Sequence, residues 1–171
     1  NLIFTNGATF TNAFTRNSGG ATQITGTINA ASVTLKAATI SGSAGITTSG
    51  TQTFNGTING AGTTDNLTLN SESGNITFAG IVGGTTPLTS LSITGPSIIN
   101  CAGITTTGLQ SYNGTIQIVS DTTLKSNTEI VNETTNSVST FAEHTKRSSA
   151  EIKNTIQAIE EILAGISEMN T

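Results

Sequence analysis

Charge is scarce in this chain. Asp, Glu, Lys and Arg together make up 9% of its 171 residues, against about 25% in an ordinary soluble domain. Six Lys plus Arg stand against ten Asp plus Glu, a formal net charge of −4. That leaves no basic footprint for a phosphate backbone, so nucleic acid is excluded as a partner. Charge of one sign is also too sparse for an electrostatically expanded tail. Aromatics are 4%, with no Trp and one Tyr, and Pro occurs twice. A single Cys excludes an intramolecular disulfide framework. No run of 18 apolar residues exists, so no transmembrane helix is expected. The start at Asn1, without Met or a signal-like stretch, reads as a mature product or a fragment.

What remains is polar and uncharged: 35 Thr, 19 Gly, 18 Ser and 17 Asn. The distribution breaks near Lys125. Residues 1–124 hold 18 of the 19 Gly, both Pro (Pro87, Pro96) and five charges; residues 125–171 hold one Gly, no Pro and eleven charges. Gly, Asn and Thr favour turns and strands over helix. Two domains are therefore expected: an all-β part over 1–124 and a helix over 125–171, serving as a coiled coil or as a cap.

The β part repeats itself. Residues 44–58 (AGITTSGTQTFNGTI) return as residues 102–116 (AGITTTGLQSYNGTI), identical at eleven of fifteen positions with an offset of 58. The same offset carries Val33 and Leu35 onto Leu91 and Ile93. Apolar residues alternate with Thr or Ser at Val33/Leu35, Leu67/Leu69, Ile76/Phe78, Leu91/Ile93 and Ile116/Ile118, a period of two with one face inward. Asn55-Gly56, Asn59-Gly60 and Asn113-Gly114 read as tight turns, which leaves an antiparallel sandwich open. The period favours coils of about 20–25 residues that bury their apolar faces only by stacking. The expected fold is mainly β, a right-handed parallel β-solenoid followed by a C-terminal amphipathic α-helix. The twin segments are expected to lie one above the other, Tyr112 over Phe54.

In the helical part, positions seven apart form a heptad seam: Val131, Val138, Thr145, Ile152, Ile159 and Ile166, interleaved with Thr135, Ala142, Ser149, Ile156, Leu163 and Asn170. A lone helix with one stripe is marginal in water, so the stripe must dock or pair.

The stretch from Asn75 to Gly95, and that from Ile104 to Leu124, resemble repeat units of filamentous-haemagglutinin-like and autotransporter-passenger adhesins of bacteria. The resemblance covers about residues 30–125. It implies secretion, a β-helical stalk and a role in surface attachment or assembly. Phe141 to Lys153 with Ile156 to Ile159 is weakly similar to the adaptation helices of chemotaxis receptors, which implies a bundle-forming helix.

No catalytic, cofactor-binding or metal-binding residue is expected. Residues 1–124 hold three carboxylates, Asp65, Glu72 and Asp121, and no His; they read as solvated turn residues rather than an acid–base pair. His144 has no second ligand at metal spacing. Cys101 reads as a small buried residue. Gly45 to Gly50 and Gly103 to Gly108 have phosphate-loop spacing but lack the Lys-Ser/Thr that follows. Four Thr-x-Thr triplets, the pattern of an ice-ordering face, do not exceed chance.

The expected role is non-catalytic: a secreted bacterial surface protein, adhesin or extracellular-filament subunit, and not an enzyme. Its expected partner is a second copy of itself, giving a homo-oligomer or filament. The expected self-association residues are Leu2, Ile3 and Phe4 at the end coil and Ile152, Ile156, Ile159 and Leu163 on the helix stripe. The alternative is a module that binds host or surface glycans on a polar Thr/Asn-rich solenoid face.

Overall fold

The computed structural model describes residues 2–128, 130–132 and 157. The chain divides into two units, Asn1–Thr134 and Thr135–Thr171; the first is built as follows. Seventeen strands run in order: β1 (Leu2–Phe4), β2 (Ala8–Thr9), β3 (Phe14–Arg16), β4 (Thr22–Ala30), β5 (Val33–Leu35), β6 (Ala38–Thr48), β7 (Gln52–Phe54), β8 (Ile58–Gly60) and β9 (Asn66–Ser71). They continue with β10 (Ile76–Phe78), β11 (Ser90–Thr94), β12 (Ser97–Ile99), β13 (Gly103–Thr106), β14 (Gln110–Asn113), β15 (Ile116–Ile118), β16 (Thr123–Ser126) and β17 (Ile130–Asn132).

Every pairing among them is parallel. This removes the sandwich and makes a parallel β-solenoid of about six turns. The ladder carries Leu2 onto Thr22, Thr22 onto Ala38, Ala38 onto Ile58, Ile58 onto Val82, Val82 onto Ile104 and Ile104 onto Leu124. One turn thus takes between 16 and 24 residues. Three faces result. Face one carries β1, the first halves of β4 and β6, then β8, Val82, β13 and β16. Face two carries β2, the second halves of β4 and β6, then β9, β11, β14 and β17. Face three carries β3, β5, β7, β10, β12 and β15.

The inward positions are those the alternation marks. Val33, Leu35, Leu67, Leu69, Ile76, Phe78, Leu91 and Ile93 are all buried in one core. Phe54 stacks on Phe78 at 5.5 Å between ring centroids. Ile116 and Ile118 are the exception. They share the alternation, but β15 is the outermost strand of face three, and Ile118 is 49% exposed.

The twin segments do not stack. Phe54 pairs with Leu35 and Phe78 on face three, whereas Tyr112 pairs with Ile93 on face two. The offset of 58 spans two turns and two faces. What repeats is a corner. Gln52 Nε2 lies within hydrogen-bonding distance of the Ile46 carbonyl (3.1 Å), Thr48 Oγ1 (3.2 Å) and, one turn on, the Asn70 carbonyl (2.7 Å). Gln110 Nε2 stands likewise to Ile104 (3.3 Å), Thr106 (3.2 Å) and Lys125 (2.7 Å). Thr48 donates to the Gly50 carbonyl and Thr106 to that of Gly108; Ser71 and Ser126 of the next turn close the same two carbonyls. One corner chemistry thus serves the bend from face two to three and, later, the bend from face one to two.

The bend from face one to face two is made differently in the early turns. β4 and β6 run through it without a break, on Gly26 and Gly42 at φ of 86° and 71°, a region closed to most side chains. In the fourth turn, residues 61–65 bulge outward instead. Asp65 turns inward there, only 3% exposed, and accepts backbone N–H bonds from Gly42 (2.7 Å) and Gly62 (2.5 Å). Asn59-Gly60, read as a turn, ends strand β8.

The β fold also runs past the compositional break. Lys125 lies in β16, and Val131, the first residue of the heptad seam, lies in β17 paired with Ser111. Pairing with β14 gives Val131 a backbone ladder on one side, and a one-residue match to a heptad does not outweigh that. Residues 133–156 and 158–171 of the expected helix, with Ile152, Ile156, Ile159 and Leu163, lie outside the described residues.

Candidate functional site

Two regions of the solenoid present groups that its own fold leaves free. The first is the end formed by β1, β2 and β3. β1 is the outermost strand of its sheet. Of the expected contact residues, Ile3 points outward and is 53% exposed, while Leu2 and Phe4 point inward and are half-buried. Phe4, Phe10 and Phe14 close this end as a cluster: Phe4 meets the other two edge-on at 6.0 and 5.5 Å, and Phe10 stacks on Phe14 at 4.6 Å. Three of the five Phe among the described residues gather here, and none of the three is fully buried.

Arg16 sets the character of the third face at this end. It occupies an inward position, in register with Leu35. Its Nη1 donates to the Gly20 carbonyl (2.5 Å) and to Thr22 Oγ1 (3.0 Å), so the charge folds back over the end. An inward charge on an edge strand opposes further strand addition, because a new neighbour would bury it. Face one carries no such charge on Leu2, Ile3 or Phe4. Sequence reasoning passed over Arg16, although the Phe14-x-Arg16 spacing places it on the inward side.

The second region is the outer side of face two. Two outward columns run across it in register: Thr27, Gly45, Thr68, Ser92 and Ser111, and beside them Asn29, Thr47, Asn70, Thr94 and Asn113. None of the ten is charged. Where Gly45 interrupts the first column, Thr27, Ser43, Thr47 and Thr68 line a depression of about 230 Å³. A second of about 300 Å³ shares Thr47 and runs past Asn29 and Ser49 to Phe10, with Glu72 at its margin.

No family model, curated protein or solved structure matches this chain.

The three carboxylates occupy three separate corners. Asp65 is spent on backbone N–H groups between faces one and two, exposed Glu72 follows β9, and exposed Asp121 lies between β15 and β16. Among the described residues, no three His, Cys, Asp or Glu side chains gather closely enough to hold a metal ion. No described helix is long and apolar enough to cross a membrane.

Cys101 is buried, as its sequence setting implies, and burial pushes its thiol upward in pKa. Tyr112 is 1% exposed and donates to Gln110 Oε1 at 2.9 Å. Burial, and then the charge that Cys101 would carry, raise its hydroxyl far above the ordinary value. The phenolate is disfavoured only in the folded state. Stability is therefore held below the unfolded value of about pH 10 and falls as pH rises beyond it. The chain has one Tyr and no Trp, so the near-ultraviolet phenolate band reports Tyr112 alone. Ionisation is expected to coincide with alkaline unfolding; a phenolate band that grows while the far-ultraviolet dichroism stays native would contradict the burial.

Proposed function

We propose that this chain is a non-catalytic structural subunit of a bacterial cell surface or extracellular filament, assembling by strand addition at β1. The observation that carries this reading is the edge itself. Leu2–Phe4 pairs with β4 on one side and, among the described residues, with no strand on the other; it has an exposed Ile3, half-buried Leu2 and Phe4, and no inward charge. Such an edge is a template for another strand, and a head-to-tail contact that does not close makes a filament. The likeness to adhesin repeats supports secretion and surface attachment. Right-handed winding follows from the general preference of parallel crossovers. The heptad series through Ile152, Ile156, Ile159 and Leu163 supplies a second contact as a coiled coil.

Sedimentation velocity and negative-stain microscopy test this reading. The chain is expected to form concentration-dependent oligomers or fibres. Ile3→Asp is expected to remove those built through β1, and the pair Ile156→Asp with Ile159→Asp those built through the helix. Arg16→Leu is expected to increase association by removing the inward charge. A chain that stays monomeric across the accessible concentrations, with Arg16→Leu no different, would overturn the proposal.

A second reading, a glycan-binding module, is favoured by the uncharged outer columns of face two and the depressions within them.

A further inference from the structure

We infer that the notch at Gly45 on face two is a binding site for a neutral saccharide, an inference that rests on the glycan-binding reading. Glycine inside a strand weakens it and often marks where a ligand approaches the backbone closely. Gly45 lies in the middle of β6, in extended rather than left-handed backbone. What limits a larger residue there is a neighbouring side chain and not backbone. The nearest atoms a Cβ at Gly45 would meet belong to the Thr27 side chain, Oγ1 at 3.1 Å and Cγ2 at 3.4 Å, a tight contact to which Thr27 would have to yield. Its repeat counterpart is different, because a Cβ at Gly103 would press on the Thr123 carbonyl at 3.1 Å. Stacked threonines fit this solenoid elsewhere: Thr15, Thr34, Thr53 and Thr77 lie in register on face three. Gly45 therefore leaves a depression beside Thr27 that a side chain would occupy only by displacing Thr27.

The groups around that space suit a sugar. Thr27, Thr47 and Thr68 offer hydroxyls that both donate and accept, as a pyranose does. Thr27 and Thr68 are exposed and Thr47 is half-buried, so their hydroxyls face solvent. The inward hydroxyls of Thr48, Ser71 and Thr106, by contrast, are all committed to backbone carbonyls. No cation lines either depression, and Glu72 borders the second, so an anionic chain is disfavoured. Phe10 borders the second depression from the end cluster, where it stacks on Phe14. The two depressions share Thr47.

The test uses the full chain and titrates cellohexaose, chitohexaose and maltohexaose calorimetrically, with a heparin hexasaccharide as the anionic comparison. At least one neutral chain is expected to bind and the anionic one not. Gly45→Thr is expected to weaken binding at least tenfold, and its melting temperature reports the cost of displacing Thr27. Thr68→Val, which keeps the shape and removes one hydroxyl, is expected to weaken it about three- to tenfold. It serves as the second variant if Gly45→Thr misfolds. Binding by neither the neutral chains nor heparin would overturn both the notch and the glycan-binding reading. Neutral binding that both variants leave intact would overturn the notch alone and place the glycan on another face. Heparin binding in preference to the neutral chains would overturn the saccharide class.

Discussion

Phe78→Ala is expected to lower the free energy of unfolding by about 3–5 kcal/mol, the range for deleting a buried aromatic ring. Phe78 is fully buried on β10, in register with Phe54 of the turn before and Ile99 of the turn after. Its ring lies nearly parallel to that of Phe54, at 14°. In a solenoid each inward residue packs against both neighbouring turns, so the cavity would open onto two interfaces at once. Phe14→Ala removes the same ring from β3, where it is only half-buried and has a turn on one side alone. It is expected to cost less than half as much. Urea unfolding of the two variants measures the difference; equal losses would mean that Phe78 is not an interior residue of stacked turns.

Gln110→Leu is expected to cost about 2–3 kcal/mol, because it leaves several buried polar groups without partners. Gln110 is fully buried; its Nε2 serves the carbonyls of Ile104 and Lys125, and its Oε1 accepts from Tyr112. Gln52 makes the equivalent corner with one difference. Phe54 stands where Tyr112 stands, and Gln52 Oε1, buried, has no hydrogen-bond partner among the described residues. Gln52→Leu removes that orphan along with the useful bonds, so it is expected to cost less than Gln110→Leu. Phe54→Tyr supplies the missing hydroxyl and is expected to raise stability by about 1 kcal/mol, while Tyr112→Phe lowers it by a similar amount. Thermal melts of the four variants decide this. A Phe54→Tyr chain less stable than the parent would show that the two corners are not the same device.

The class of fold was legible in the sequence, and its register was not. Period-two alternation at Val33/Leu35 or Ile76/Phe78 identifies the inward side of a strand whatever its neighbour, and those residues are buried. The 58-residue repeat carries no such immunity. It records a corner built from Thr, Gly and Gln, and a corner can recur at any vertex when turns vary between 16 and 24 residues. Only the backbone pairing shows that Phe54 faces Phe78 and Tyr112 faces Ile93. Asp65 was equally opaque. Its role depends on the Gly42 N–H one turn earlier, and sequence distance hides that neighbour. Leu2, Ile3 and Phe4 lie on β1, the outermost of the described strands of its sheet. Gly45, in contrast, read as one more repeat glycine. It becomes a notch only once Thr27 and Thr68 are known to flank it.

Ring contacts of Phe54 and Tyr112, read as nuclear Overhauser effects in the uniformly labelled chain, test the solenoid register most directly. Phe54 ring protons are expected to contact Leu35 and Phe78, and Tyr112 ring protons to contact Ile93, with no cross-peak between the two rings. A direct Phe54–Tyr112 contact, or antiparallel cross-peaks between β7 and β10, would contradict it.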